Sequence, residues 1–337
     1  SEMPYNDIIR KFIDMYAGRL RNQVSFMLSA CNFYMPIFEE ALDAYGLPLE
    51  LRYLPIIESA LNPSAVSRAG ASGLWQFMIG TGKIYGLESN SLVDERRDPI
   101  KATWAAARYL KEMYDIYGDW NLVIAAYNCG PGTINKAIRR ANGETDYWKI
   151  YNYLPKETRG YVPAFIAANY VMTYYCDHNI CPMETNIPAS TDTVQVNKNL
   201  HFEQIADLCN VPLDQIKSLN PQYKKQMIPG DSKPYTLRLP IDAISTFIDK
   251  QDTIYTHRAD ELFRNRKTVA VKDITPATRK TTSAVAGKGN LTYYTIKSGD
   301  TLSTIARKYG VTIKDIQRWN GMSNTKIAAG KRLKIYK

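Results

Sequence analysis

The sequence predicts a mainly α protein carrying two small βααβ modules. Three observations predict it. Apolar residues recur at helical spacing from the N-terminal segment to about Cys181. Between Leu49 and Cys181 no segment alternates convincingly with the period of two that marks a half-buried strand. After Thr185 the texture changes, and residues 193–240 and 292–337 are similar to each other at an offset of 100 residues. An internal repeat of that size points to a duplicated module.

The elements follow in order. Residues 1–48 read as an N-terminal helical extension. Ile8, Ile9, Phe12, Ile13 and Tyr16 fall at helical spacing, and Phe26, Met27, Phe33, Met35 and Phe38 continue the pattern until Gly46-Leu47-Pro48 breaks it. Residues 49–185 form a larger helical domain. Within it Asp98-Pro99 opens a helix through Trp104, Ala105, Ala106, Ala107, Tyr109, Leu110 and Met113, because Ala is the best helix former and Pro suits a first turn. Gly118-Asp119 ends that helix. Another begins at Asn121 and stops at Gly130-Pro131-Gly132, and residues 163–175 predict a further, amphipathic one.

In the repeat, Phe202 matches Leu302, Ile205-Ala206 matches Ile305-Ala306, Val211 matches Val311, Ile216 matches Ile316 and Asn220 matches Asn320. Each copy reads strand, helix, helix, strand: residues 193–196 or 293–296 first, 237–239 or 332–335 last. Residues 241–290 join the copies. They read as helical to about Phe263, and residues 268–290 are too poor in apolar side chains to bury a core, which makes them a flexible linker.

The net charge of +10 suits a nucleic acid, an anionic lipid or an acidic polymer. No Lys/Arg run with interleaved aromatics forms a nucleic-acid motif, so no nucleic-acid partner is expected. No segment reaches the ~18 consecutive apolar residues of a membrane span. The polar opening at Ser1 is compatible with a signal peptide or an outer-membrane lipid anchor upstream. Cys31, Cys129, Cys176, Cys181 and Cys209 are expected as buried thiols or one structural bridge, Cys176 and Cys181 being close enough for a local disulfide. Three His without an HExxH pattern argue against a zinc hydrolase, and neither metal nor cofactor is expected. Nothing in the sequence sets an oligomeric state.

Residues 54–60 place one carboxyl group, Glu58, inside the apolar run Leu54-Pro55-Ile56-Ile57. Apolar surroundings disfavour the charged form, so the group keeps its proton longer, which a glycosidase general acid needs near neutral pH. The plainer alternative is a helix-face Glu that meets water or pairs with Arg52. Nearby, Gly70 and Gly73 with small neighbours permit close backbone approach to a ligand. Gln76 offers a sugar both donor and acceptor. Trp75 suits a sugar-stacking face or the core.

Four blocks in this order carry a specific resemblance: Glu58-Ser59, Gly73-Leu74-Trp75-Gln76, Ala126-Tyr127-Asn128-Cys129-Gly130 and Gly160-Tyr161-Val162, with 154–159 flanking the last. Over roughly residues 49–180 the chain resembles the soluble-lytic-transglycosylase (goose-lysozyme-like) family, in its membrane-bound lytic transglycosylase D branch. The resemblance implies a lysozyme-like helical catalytic domain with Glu58 as the sole catalytic acid/base. It implies cleavage of the β-1,4 bond between N-acetylmuramic acid and N-acetylglucosamine, with closure of a 1,6-anhydro ring on the muramic acid in place of water addition. By the same matching Ser67, Gln76, Tyr127, Asn128 and Tyr161 bind substrate, Tyr161 with its hydroxyl near the acid. Asp94, Glu95, Asp98 and Asp119 lie outside the matched blocks and read as caps, helix-dipole partners or surface charges.

The second copy resembles the LysM family, whose modules bind N-acetylglucosamine-containing glycans. The resemblance implies a groove at Gly299, Asp300, Thr301 and Leu302 and around Ile327 and Gly330. The first copy is degenerate, with Asn199-Leu200-His201 where the second has Gly299-Asp300-Thr301. The partner implied is the glycan strand of peptidoglycan, whose peptide carboxylates fit the basic charge. The implied location is the periplasm or cell envelope of a Gram-negative bacterium. Two other functions compete: a hydrolytic muramidase on the same scaffold, and a non-catalytic cell-wall-binding protein, against which the intact Glu58 block weighs.

Overall fold

A computed structural model describes residues 5–264, 291–322 and 324–336, which fall into two compact units, 1–276 and 277–337. The linker expected at residues 268–290 lies outside the described residues.

The first unit opens with α1 (Asp7–Ala17). Its cap is Asn6, whose side-chain oxygen accepts from the amides of Ile8 at 3.1 Å and Ile9 at 3.0 Å. α2 (Arg21–Ala44) follows, then a 3₁₀ turn over Leu49–Tyr53, α3 (Leu54–Ser59) and α4 (Ile79–Ile84). α5 (Pro99–Tyr117) starts where expected: Asp98 accepts from Ile100 and Lys101, Pro99 fills the first turn, and Gly118 closes the helix in the left-handed region. α6 (Trp120–Cys129) is capped by Asp119. α7 (Pro131–Arg140) starts one residue after Gly130, so Gly130-Pro131-Gly132 is a joint between two helices as well as a stop.

α8 (Tyr147–Ile150), α9 (Lys156–Arg159) and α10 (Tyr161–Thr173) complete this part. One apolar core takes side chains from all the longer helices, among them Ile9, Met27, Phe38, Leu54, Leu110, Val123 and Phe165. The 1–48 segment shares that core. The helix expected as amphipathic over 163–175 differs: ten of the 13 residues of α10 are buried, and it packs on α1, α3, α6 and α9. A helix apolar on every side is a core helix. Trp75 is also core, fully buried, its Nε1 donating to Thr103 Oγ1 at 2.9 Å, so it offers no face to a sugar.

The rest of the first unit is a module of β1 (Thr191–Val196), β2 (Asn199–His201), α11 (Phe202–Cys209), α12 (Leu213–Leu219), β3 (Met227–Pro229) and β4 (Tyr235–Pro240). β1 and β4 pair antiparallel, Thr191 opposite Pro240 and Val196 opposite Tyr235. The β2–β3 pair is an addition to the expected strand, helix, helix, strand order. α13 (Ile241–Asp249) and α14 (Gln251–Thr256) send Phe247 and Ile254 into the module's core, and α15 (Ala259–Leu262) follows.

The second unit holds β5 (Leu291–Thr295), α16 (Leu302–Tyr309), α17 (Ile313–Asn320) and β6 (Arg332–Tyr336), with β5 antiparallel to β6. The duplication is visible in one side chain. Asn220 Nδ2 donates to Ile216 O at 2.9 Å and Arg238 O at 2.8 Å, and its Oδ1 accepts from Arg238 N at 2.8 Å. Asn320 does the same with Ile316 O at 2.8 Å, Lys334 O at 2.9 Å and Lys334 N at 2.7 Å. Each Asn ties the second helix of its copy to the last strand.

The cysteines depart from expectation. All five are free thiols, and Cys176 and Cys181 are exposed, neither bridged nor buried. No helix among the described residues is long and apolar enough to cross a membrane.

Candidate active site

Glu58 stands one residue before the end of α3, a six-residue helix that carries Pro55 in its first turn and stops because Ala60 and Leu61 both take the left-handed conformation, φ 51° and 57°. Two successive non-glycine residues there turn the chain sharply beside the carboxyl group. Ser59 locks the turn: its Oγ lies 3.0 Å from Pro55 O and 2.9 Å from Leu74 O.

Glu58 is half-buried and accepts a hydrogen bond from the Tyr161 hydroxyl at the start of α10. The pairing with Arg52 does not form; Arg52 meets Glu39 and Tyr53. Burial pushes the Glu58 carboxyl up to about 7. The Tyr161 hydrogen bond pulls it down, and the nearby charge of Glu157 pushes it up. Burial also drives the Tyr161 phenol well above its ordinary value, so it stays a neutral donor.

The raised carboxyl has a consequence for stability. The folded chain keeps its proton up to about pH 7, whereas an ordinary Glu releases it near 4.5. The contribution of this group to folding stability is therefore full below 4.5 and is lost as pH rises towards and through 7. Glu58→Gln removes that loss. Urea unfolding should find the variant more stable than the parent by about 1–2 kcal/mol at pH 8, after discounting for partial exposure, and nearly equal at pH 4. The same difference at both pH values would refute the buried carboxyl as its source.

The loop after Ala65 follows in the chain. Ser67 bonds within its own turn, its Oγ accepting from Ala71 N at 3.0 Å. Gln76 sits at φ 51°, and its Nε2 donates to Ala65 O at 3.1 Å and Gly73 O at 2.8 Å. Tyr127 on α6 donates to Trp75 O at 2.6 Å and lies within electrostatic reach of Glu58. Asn128 accepts from Thr158 Oγ1 at 2.9 Å, tying α6 to α9. Glu58 thus bonds to Tyr161, Tyr127 bonds to the Gly73–Gln76 strip, and Ser59 ties the turn after Glu58 to the same strip, whereas the side-chain bonds of Ser67 and Asn128 go to their own surroundings. Burial holds the Cys129 thiol protonated.

Three residues take a part here to which the sequence alone assigns no role. Ser59 fastens the acid's turn, and Glu157 lies within electrostatic reach of Glu58. Arg96 is the third: Nε and Nη2 meet Asp94 at 2.9 and 2.8 Å, and Nη1 donates to Gly70 O at 2.8 Å and Phe77 O at 3.0 Å. Asp94 and Glu95, expected as caps or surface charges, are buried, at 2% and 4% exposure. Asp94 caps its turn and pairs with Arg96, and Glu95 pairs with Lys101. Asp98 and Asp119 are helix caps.

A cavity of about 860 Å³ lies elsewhere, between α1, residues 49–53 and the C-terminal half of α10, with Tyr53, Tyr170 and Tyr174 in its wall. It does not include Glu58. In the second module Thr301 caps α16 and Leu302 is core; Asp300 accepts from Tyr294 OH and Lys297 N, both at 2.8 Å. Gly299 and Gly330 take φ 91° and 87°, and Ile327 packs half-buried on the core. Among the described residues no group of three or more His, Cys, Asp or Glu is arranged to hold a metal ion.

Comparison with known proteins places these parts. Residues 35–150 match the transglycosylase SLT domain, 190–256 the LysM-like domain of lytic transglycosylase MltD, and 294–335 the LysM domain. The membrane-bound lytic murein transglycosylase D of Escherichia coli strain K12 is 32% identical over 337 residues, covering 99% of this chain and 70% of its own. The soluble lytic murein transglycosylase of the same strain is 33% identical over 124 residues, 35% of this chain and 19% of its own. The crystal structure of the 70 kDa soluble lytic transglycosylase from Escherichia coli is 29% identical with a TM-score of 0.37, over 42% of this chain and 24% of that one, so this chain spans about a quarter of that protein. With its SLT, LysM-like and LysM domains in that order, the chain is a lytic transglycosylase and belongs to the membrane-bound lytic murein transglycosylase D family.

Proposed function

We propose that the protein cleaves the β-1,4 bond between N-acetylmuramic acid and N-acetylglucosamine in peptidoglycan and leaves 1,6-anhydro-muramic ends. The observation that carries the reading is the protonatable carboxyl of Glu58, raised to about 7 by burial and held by the Tyr161 hydroxyl. Protonated, Glu58 gives its proton to the glycosidic oxygen as the C–O bond breaks. The substrate's own N-acetyl oxygen captures the cationic anomeric carbon. Glu58, now a carboxylate, takes the proton of the muramic 6-hydroxyl as that oxygen bonds to the anomeric carbon and the N-acetyl group departs. One carboxyl group serves as acid and then as base, and the cycle ends with Glu58 protonated again.

Gln76 uses its amide nitrogen on the loop, which leaves its oxygen for a sugar donor. Tyr127, Asn128 and Ser67 line the same cleft in this reading, and Gly299, Asp300, Thr301, Ile327 and Gly330 shape a glycan groove on the second module, with Leu302 beneath it. The relatives named membrane-bound support a place in the cell envelope, on the peptidoglycan side of the inner membrane.

A hydrolytic muramidase is the second reading, and the charge of Glu157 near Glu58 is what favours it: a second carboxylate could activate water. Mass spectrometry of digested peptidoglycan separates the two. Fragments lighter by one water than reducing ends are expected; reducing ends would establish the hydrolase.

A further inference from the structure

We propose that the first LysM-like module is an intramolecular brace for the loop of residues 67–77 and does not bind glycan, with Arg96 as the positioning residue between them. The inference rests on the reading of that loop as part of the active site.

The module's own chain fills the place of a groove. Its two loops pair with each other as β2 and β3, Asn199 opposite Pro229 and His201 opposite Met227. Phe202 N donates to Gln226 O at 2.9 Å, and Asn199 N to Asp231 Oδ1 at 3.0 Å. The loops approach so closely that a Cβ on Gly230 would stand 2.3 Å from Lys198 O. Backbone groups that a glycan would contact are spent on one another.

The face beside that closure is docked on the catalytic part. Asp94 N donates to Gln222 O and Lys224 N to Leu92 O, both at 2.8 Å. Lys224 Nζ donates to Asn90 O at 3.1 Å, and Lys233 Nζ and Tyr235 OH reach Glu88 at 2.6 and 2.9 Å. Leu92 and Val93 are buried in the module's own core. Segment 88–94 therefore belongs by packing to the module.

From there the connection is short. The module holds the Asp94 main chain; the Asp94 carboxylate holds Arg96 at two points; and Arg96 holds two carbonyls of the loop, Gly70 and Phe77, on either side of the Gly73–Gln76 strip. A guanidinium supplies these four bonds from one plane, which an ammonium cannot. The Arg96 carbonyl also packs directly against Gly73.

Hydrogen exchange on the full chain tests the brace without relying on cleavage. The reporters are the amides of Ser72, Gly73 and Gln76, bonded to Phe77 O, Ala65 O and Gly73 O. Arg96→Lys and Val93→Ser should each speed their exchange at least tenfold, with Val93→Thr as the milder variant if Ser prevents folding. Turnover of glycan should fall about tenfold with KM little changed. The pH profile should keep its position, because Glu58 and Tyr161 are untouched. Faster exchange within the module while Ser72, Gly73 and Gln76 stay protected would overturn the brace. So would amide shifts at residues 199–202 on adding an oligomer of N-acetylglucosamine. Loosening of the loop with cleavage unchanged would uphold the brace and sink the placement of the loop in the active site.

Discussion

Glu58→Gln is expected to lower turnover of peptidoglycan by about 10²–10⁴-fold, the range that one acid/base group contributes, while binding to glycan persists. The amide has nearly the shape of the carboxyl group, and its oxygen can still accept from Tyr161. It has no proton to give near neutral pH and no base to form afterwards, so both halves of the proposed cycle fail together. Burial is what makes Glu58 competent: at a carboxyl raised to about 7, roughly half the molecules carry the proton at neutral pH. Release of soluble fragments and cosedimentation with insoluble peptidoglycan read the two properties separately. Cleavage at the parent's rate would remove Glu58 from the mechanism; loss of binding along with cleavage would make it a structural residue instead.

The parts of this molecule that could be read beforehand are those written locally. α5 begins at Asp98-Pro99 and ends at Gly118 because caps and helix formers lie within a few residues of the bonds they make. Asn220 and Asn320 could be paired from their offset, and the structure gives both the same three bonds. Where the physics is long-range, the reading thinned. Residues 163–175 form an apolar run that periodicity cannot divide between an amphipathic and a buried helix; only packing on α1, from the other end of the domain, decides it. β2 and β3 are three residues each, too short for an alternation signal.

The site divides the same way. Glu58 and Tyr161 stand in separate blocks, 103 residues apart; the resemblance implies that the hydroxyl lies near the acid, but nothing local says that the two touch. Arg96 was passed over because its partners Gly70 and Phe77 lie 26 and 19 residues before it. Asp94 reads as a cap, a helix-dipole partner or a surface charge, and it does cap its turn; its burial is hidden for the same reason, because the module that covers it begins about a hundred residues later.

Gly73→Ala is expected to cost about 3–5 kcal/mol, a large effect for adding one methyl group. Two glycines of the loop separate the causes. Gly70 and Gly73 have the same left-handed backbone, φ 89° and 88°. At Gly70 a Cβ meets nothing within 4 Å, so Ala there bears only the conformational cost, about 1–2 kcal/mol. At Gly73 the Cβ would stand 1.8 Å from Arg96 O and 2.7 Å from its carbonyl carbon. That neighbour is main chain, fixed by the Asp94 pairing and the docked module, so it cannot swing aside as a side chain would. Either the 73–76 strip moves away from Ser59 and Tyr127, or segment 94–97 moves away from the loop. Thermal unfolding should therefore show Gly73→Ala melting about 10 °C below the parent and Gly70→Ala only a few degrees below it. Cleavage by the folded fraction should fall for Gly73→Ala alone, because Leu74 O and Trp75 O anchor Ser59, next to Glu58 in the chain, and Tyr127 on α6. Equal melting of the two variants would show that the Arg96 carbonyl yields, and that the contact does not hold the loop in place.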